Sequence, residues 1–443
     1  MNQKNIEDIY PLSPMQQGML FHYIFEPEKA VYVEQLAVEL EGDFDISAFQ
    51  NAWTQIIQRH SVFRTAFVWE DLEEPLQVVN KQVALPLEEH HWESLSENQH
   101  LQKLQEFMRS DRENGFDLLK APLMRLHLIH RGNHQYYFVW TYHHMIIDGW
   151  GVPLVFKELF LLYEAFRQGK TPQLPPVRPY RDYIAYIKSQ NLQKAENFWK
   201  EYLKDLQEPT PIPVLDLPGR ESGDNDYLKV VRFLPESLSA SLNDLARKQK
   251  VTLSTIIQTA YGLLLQHYSG EPDVVFGVTV SGRPPELQGV ENMVGLFINT
   301  LPLRLQLSPE IPISTVMQTV QQNLAQMRQY EYTPLVQIQG WTNVPRSLPL
   351  FQSILVFENY PVDESLQQQQ QQLSLRLRKI EGHERTNYPL TLVGAPGKQI
   401  RLEAAVEARR LDQATTERLL DIWCIFLNKL PEIPSSRWKP LFL

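Results

Sequence analysis

The stretch YYFVWTYHHMIIDGWGVPLVFKELFLLYEAF, Tyr136 to Phe166, decides how this chain folds. Its opening is dense in Tyr, Phe, Val and Trp, which predicts a buried or half-buried strand. Its end carries Leu154, Val155, Leu159, Leu162 and Tyr163 at helical spacing. Between them stands His143-His144-Met145-Ile146-Ile147-Asp148-Gly149. In an extended strand the two histidines point to opposite faces, so one can face a cavity while the other sits in its wall. Gly149 allows a tight reversal into the helix. Asp148 can lock that turn through a hydrogen bond or an ion pair. The pattern predicts one imidazole on a rigid strand end, aimed by its neighbour and a carboxylate, which suits a catalytic histidine. A lone histidine pair on a strand is more often structural, and the residues alone leave both readings open. A second pair, His90-His91 in LEEHHWESL, is flanked by charge and reads as solvated loop without chemistry.

A chain of 443 residues exceeds one ordinary core, so two domains are expected. With 43% hydrophobic and 21% charged residues the balance is that of a soluble globular protein. The formal charge of -10 and the lack of a basic stripe argue against nucleic-acid binding. The single Cys424 rules out a disulfide within the chain and fits a reducing compartment. The start, MNQKNIEDIYPLSP, lacks the apolar core of a signal peptide, and no run reaches transmembrane length. A cytoplasmic protein without membrane contact is therefore expected. One cysteine and scattered histidines show no ligand spacing, so no metal site is expected.

Ser13-Pro14 marks a helix start, and Asp45 to His60 forms a helix with Phe49, Ala52, Trp53, Ile56 and Ile57 on one stripe. RHSVFRTAFVW then turns into a strand, with Arg59, His60 and Arg64 near the helix end, where cations are favoured. PLMRLHLIHR and the histidine strand read as neighbours joined at Gly132-Asn133. The Pro-rich RQGKTPQLPPVRPY is the expected boundary, dividing the chain into 1–175 and 176–443. In the second part, Leu238 to Lys248 and Ser254 to His267 read as helices, the latter closed by Gly270. DVVFGVTVSGRP, MVGLFINTLPLRLQL, FQSILVFENY, LSLRLRKI and QIRLEAAVEA read as strands, and about 413 to 430 as the last helix. Asn299 and Thr300 are a polar pair inside an apolar strand, needing partners or marking a site. The six glutamines at 367–372 read as a solvated loop. Alternating strands and amphipathic helices predict an α/β fold with two sandwich lobes.

Taken together, the segments resemble the condensation domains of nonribosomal peptide synthetases along essentially the full chain. YPLSPMQQGMLFH resembles the family's opening helix, RHSVFRTAF its RHxxLRTxF pattern, and HHMIIDGWG its HHxxxDGWS pattern. YRDYIAY, VGLFINTLPLR, YEYTPLVQIQGW and ERTNYPLTL resemble the later segments, in the family's order. There are departures. Gly151 stands where Ser is common, Met15-Gln16-Gln17-Gly18 replaces an AQxR form, and Tyr332-Thr333 replaces the usual polar forms.

The resemblance implies two chloramphenicol-acetyltransferase-like lobes in a V around a central tunnel. Donor and acceptor peptidyl carrier domains would each bring a phosphopantetheine arm to it, with no cofactor bound by the chain itself. It implies attack of an acceptor aminoacyl α-amine on a donor acyl or peptidyl thioester, forming an amide. A neighbouring adenylation domain and a monomeric unit are implied as well. His144 is implied as the catalytic histidine, beside His143, Asp148 and Gly149, either as general base or in orienting the amine. Asp148 is expected to pair with Arg64 or Arg283. Trp150, Gly151, Asn299 and Thr300 are expected to line the tunnel. The subtype stays open between a starter domain taking a fatty acyl donor and a chain-elongating one. Met1, nine residues before YPLSP, suits the first domain of a longer synthetase. An epimerization domain (faintly suggested by EGHER, Glu381 to Arg385), a coenzyme A-dependent acyltransferase and an inactive recruitment domain of the same fold are the alternatives.

Overall fold

A computed structural model describes residues 3–25, 32–212, 227–359, 375–383, 385–408 and 410–432. The glutamines at 367–372 lie outside the described residues. The chain divides into two compact α/β units. The first comprises Met1–Gln190, Arg283–Ile298 and Tyr360–Thr386, and the second Asn191–Gly282, Asn299–Asn359 and Asn387–Leu443.

The first unit is built on a five-stranded sheet. Its spatial order is Leu375–His383, Val33–Gly42, Gln135–His143, Met124–Gly132 and Leu87–His91. Its neighbouring strands are antiparallel except the last two, which are parallel. The histidine strand is central, and its alternation serves two cores. Phe138, Trp140 and Tyr142 enter the larger core with Phe49, Trp53 and Val155, from helices Ile46–Arg59 and Gly151–Arg167. The Trp53 and Trp140 rings meet edge to face at 5.2 Å. Tyr137 and Val139 point the other way, onto Leu104 and Met108 of helix Glu97–Glu113. The strand is buried on both faces, which explains its nearly unbroken apolar run.

Local signals act as read. Asp45 caps helix Ile46–Arg59 by accepting the Ala48 N–H at 2.9 Å. Ser13 and Gln16 cap helix Pro14–Phe25 reciprocally. The turn between the strands Met124–Gly132 and Gln135–His143 places Asn133 and His134 at φ of 51° and 56°, the left-handed pair of a tight hairpin. A three-stranded sheet, Ile6–Pro11, Leu76–Asn80 and Thr65–Val68, completes the described sheets of this unit.

The second unit carries a mixed six-stranded sheet in the order Asn299–Gln306, Asp273–Val280, Ser353–Phe357, Leu390–Ala395, Arg401–Glu407 and Tyr227–Phe233. Helices Leu253–Ser269 and Gln413–Lys429 supply Tyr261 and Trp423 to its core. Gly270, at φ 75°, closes the first of these helices.

The expected division after residue 175 differs from this arrangement in two ways. Residues 176–190 stay with the first unit, because Tyr180, Tyr183 and Ile184 are buried in its core. The segment 283–298 and the strand Leu375–His383 also return to it, the latter as a sheet edge beside Val33–Gly42. MVGLFINTLPLRLQL is therefore not one strand. Only Asn299–Gln306 is extended in a sheet, while Met293, Val294, Leu296 and Phe297 pack into the first unit's core. His90 and His91 lie in the edge strand Leu87–His91 and not in a loop. Among the described residues no helix is long and apolar enough to cross a membrane.

Trp140→Ala should destabilise the chain by about 3–5 kcal/mol, since a fully buried indole leaves a cavity between two helices and the sheet. Urea denaturation followed by fluorescence measures it, and a loss below about 1 kcal/mol would contradict the central packing role.

Candidate active site at the histidine turn

The sheet delivers the site. His143 closes the central strand and His144 opens a short 3-10 turn to Ile146. The two rings are held in different ways. His143 is buried between Tyr32 and Phe116, with ring centroids 6.5 and 6.3 Å away. Its Nδ1 accepts the Met145 N–H at 3.2 Å, so a neutral ring carries its proton on Nε2. Burial, with the neighbouring His144 second, pushes the His143 pKa down to about 3.

His144 has the opposite tautomer. Its Nδ1 donates to the Ile147 carbonyl at 2.9 Å, which leaves the Nε2 lone pair as the acceptor. Nε2 makes no hydrogen bond among the described residues, and the residue as a whole is half-buried. Burial lowers its pKa below the ordinary histidine value and outweighs the opposing pull of Asp148. The neutral, proton-accepting form therefore dominates at neutral pH.

Asp148 is the anchor of the turn. It is fully buried, and its carboxylate oxygens accept bidentately from Arg283, Nη1 to Oδ2 at 2.9 Å and Nη2 to Oδ1 at 3.1 Å. Oδ1 also takes the Gly151 N–H at 3.0 Å and Oδ2 the Phe297 N–H at 3.0 Å. The Asp148 N–H donates to the Gly295 carbonyl at 3.1 Å. Arg283 lies 4.2 Å over the Phe297 ring and 5.3 Å from that of Trp150, whose Nε1 donates to the Glu291 carbonyl. Of the two arginines left open by the sequence, Arg283 is the partner.

Arg64 does something else. Its guanidinium is spent on the Ile57 and Gln58 carbonyls at the end of helix Ile46–Arg59, on the Asn80 carbonyl and on Glu7 at 2.6 Å. It ties that helix to the three-stranded sheet and has no contact with Asp148. Arg59 and His60 both reach Glu158 of the helix Gly151–Arg167. Gly149 makes its turn without a left-handed backbone, so the flexibility expected of it is not used. Gly151 is constrained instead, because a Cβ there would come within 2.7 Å of Ile147 Cγ1. Asn299 lies in the second unit. Its Nδ2 donates to the distant Glu331 and Thr333 carbonyls, both at 2.8 Å, while its Oδ1 accepts the Thr300 N–H, so the Asn299 amide is spent on backbone groups.

Three supports are not legible in the sequence. Buried Gln16 donates from Nε2 to the Met145 carbonyl at 2.9 Å and to Gln77 at 3.1 Å, fastening the first helix to the histidine turn. Its place in the opening helix segment is the available signal. Tyr180 and Tyr183 donate to the Leu296 and Phe297 carbonyls, the latter at 3.1 Å, and clamp the segment that carries the Asp148 contacts. Gly295 permits that closeness, since a Cβ there would lie 2.4 Å from the Tyr180 ring.

The family model for the condensation domain matches residues 6–443. The chain is 44% identical to one of the linear gramicidin synthase subunits of Brevibacillus parabrevis, over 99% of its own length and 9% of that protein. It is 34% identical to surfactin synthase subunit 3 of Bacillus subtilis (strain 168), over 98% of its length and 34% of that protein. Its fold matches the starter condensation domain of rhizomide synthetase with a TM-score of 0.80 at 20% identity, covering 98% and 97% of the two chains. It also matches the X-domain from teicoplanin biosynthesis with a TM-score of 0.79 at 21% identity, covering 96% of each. The chain belongs to the condensation-domain family of nonribosomal peptide synthetases, an amide-forming acyltransferase class.

Asp148→Asn strands a buried guanidinium and should cost about 3–5 kcal/mol of stability. Asp148→Asn combined with Arg283→Met should cost less than the sum of the single changes, and strict additivity in urea denaturation would contradict the coupling. The low His143 pKa gives a second expectation. Its stabilising contribution is complete above about pH 6.5 and is lost as pH falls toward about 3. Tm should decline through that window, and His143→Gln should flatten the decline. An unchanged slope in the variant would assign the acid sensitivity elsewhere.

Proposed function

We propose that this chain joins a carrier-bound acyl or peptidyl thioester to the α-amine of a carrier-bound aminoacyl thioester. The observation that carries this reading is the tautomer of His144. An imidazole that donates from Nδ1 to Ile147 and is held neutral by burial presents only a lone pair at Nε2. Such a group accepts a hydrogen bond from the incoming amine, which aims the nitrogen lone pair at the thioester carbonyl. As the N–C bond forms, the amine proton passes to Nε2. The tetrahedral intermediate then collapses, the C–S bond breaks, and the departing thiolate recovers the proton. A thioester is already activated, so fixed positioning contributes much of the rate.

In this reading His143 is a positioning residue, buried and bonded to the turn. Asp148 and Arg283 act through the loop, because the polar contacts described for the carboxylate go to Arg283 and to backbone N–H groups. Trp150 and Gly151, in the turn after His144, are assigned as surroundings of the substrates. The phosphopantetheine arms arrive with the donor and acceptor carrier domains as part of the substrates, and the proposed reaction draws on no cofactor bound at the histidine turn. A neighbouring adenylation domain and a monomeric working unit in the cytoplasm follow from the same reading. It is supported by relatives that are synthetase subunits far longer than this chain.

A single-turnover assay with two loaded carrier proteins and mass detection tests the proposal. Donors would be a fatty acyl, an L-ended peptidyl and a D-ended peptidyl thioester. Amide should form with one of them and fall at least about 100-fold in His144→Ala. The preferred donor separates a starter from an elongating domain. Exchange of the acceptor α-proton without amide would assign epimerization, and inactivity with every loaded donor would assign recruitment.

A further inference from the structure

The parallel edge of the first unit's sheet brings together three side chains that sequence spacing keeps apart. Strand Leu87–His91 pairs with Met124–Gly132 so that Glu88 lies beside His127. Glu88 and His90, two apart on one strand, share a face. His90 Nε2 lies 3.2 Å from His127 Nδ1, and Glu88 Oε2 lies 3.8 Å from the same nitrogen. Two nitrogens bound to one tetrahedral zinc ion, each about 2.0–2.1 Å away, sit about 3.4 Å apart. The histidine pair is already close to that separation. Glu88 is 70% exposed and can swing to close the remaining gap.

The support behind these ligands is the second observation. His127 is buried, only 5% exposed, and its other nitrogen, Nε2, faces Asp111 Oδ1 at 3.4 Å. Asp111 is itself buried and held by Arg125 at 2.6 Å and by Gln35 at 3.2 Å. A carboxylate behind the distal nitrogen fixes a histidine's tautomer and raises the basicity of the ligating one. Phe107 packs against both rings, at 5.0 and 4.9 Å, and shields them from water. We propose that Glu88, His90 and His127 form a binding site for a zinc-class divalent cation, with Asp111 orienting His127 and the fourth position taken by water. The bound ion ties the edge strand to its neighbour and keeps one position open to water. In its absence a hydrogen bond from His90 Nε2 to His127 Nδ1 fills the same gap. The opposite face of the edge carries Glu89, His91 and His130 within ligand reach, but His91 is paired with Glu93 and 65% exposed. That face serves as the internal control.

The test uses the full chain, free of any affinity tag and stripped with chelator, titrated with Zn2+ by calorimetry and with Co2+ by visible absorption. One ion per chain should bind, with the intense visible bands of tetrahedral Co2+, and Zn2+ should raise Tm. His90→Gln should weaken binding at least about 100-fold and Glu88→Gln about 10-fold, while His91→Gln changes it less than about 2-fold. Both principal variants lie at the sheet edge, and matching circular dichroism of the apo forms confirms that they fold. Absence of binding, equal affinity in wild type, His90→Gln and Glu88→Gln, or loss only in His91→Gln would each overturn the assignment.

Discussion

The ion pair between Asp148 and Arg283 is the constraint on which the histidine turn depends. A buried carboxylate cannot remain charged without compensation, and here it receives two guanidinium bonds and two backbone N–H bonds. Those bonds bind the turn after His144 to the Arg283–Ile298 segment, which belongs to the first unit although second-unit chain precedes and follows it. Tyr180, Tyr183 and the bare Cα of Gly295 secure that attachment. The central strand then holds the histidines from one side and the anchored turn from the other.

The two histidines illustrate how backbone decides chemistry. They are adjacent in sequence and of one residue type, yet one accepts a backbone N–H at Nδ1 and the other donates from Nδ1 to a carbonyl. The first is thereby spent on structure. The second keeps an unshared lone pair at Nε2. The change from strand to 3-10 turn between His143 and His144 creates the difference, since it rotates the second ring out of the sheet's alternation.

The sheet edge of the first unit sets the same residue type in a different environment. His90 and His127 are 37 positions apart, so no spacing rule for metal ligands could pair them. A parallel register does so, and a buried Asp111 gives one of them a fixed orientation. Flanking charge makes His90-His91 look like a solvated loop. Charge on an edge strand looks the same in sequence, because such strands are protected by polar side chains.

The sequence alone determined the local elements and the family. Alternation, capping residues and turn residues act over a few positions, so the histidine strand, the helix capped by Asp45 and the helix closed by Gly270 were legible. The HHxxxDG spacing was legible for the same reason, as were the ordered segments that resemble condensation domains. Tertiary structure alone decided which arginine meets Asp148, and the answer separates residues that look alike. Arg64 is spent on helix-end carbonyls and Glu7, whereas the chain brings Arg283 against the buried carboxylate. Tertiary structure also decided that residues 283–298 leave one unit's stretch of sequence to complete the other's core. Such choices depend on which long-range partners satisfy buried charges and carbonyls, and no local pattern encodes them.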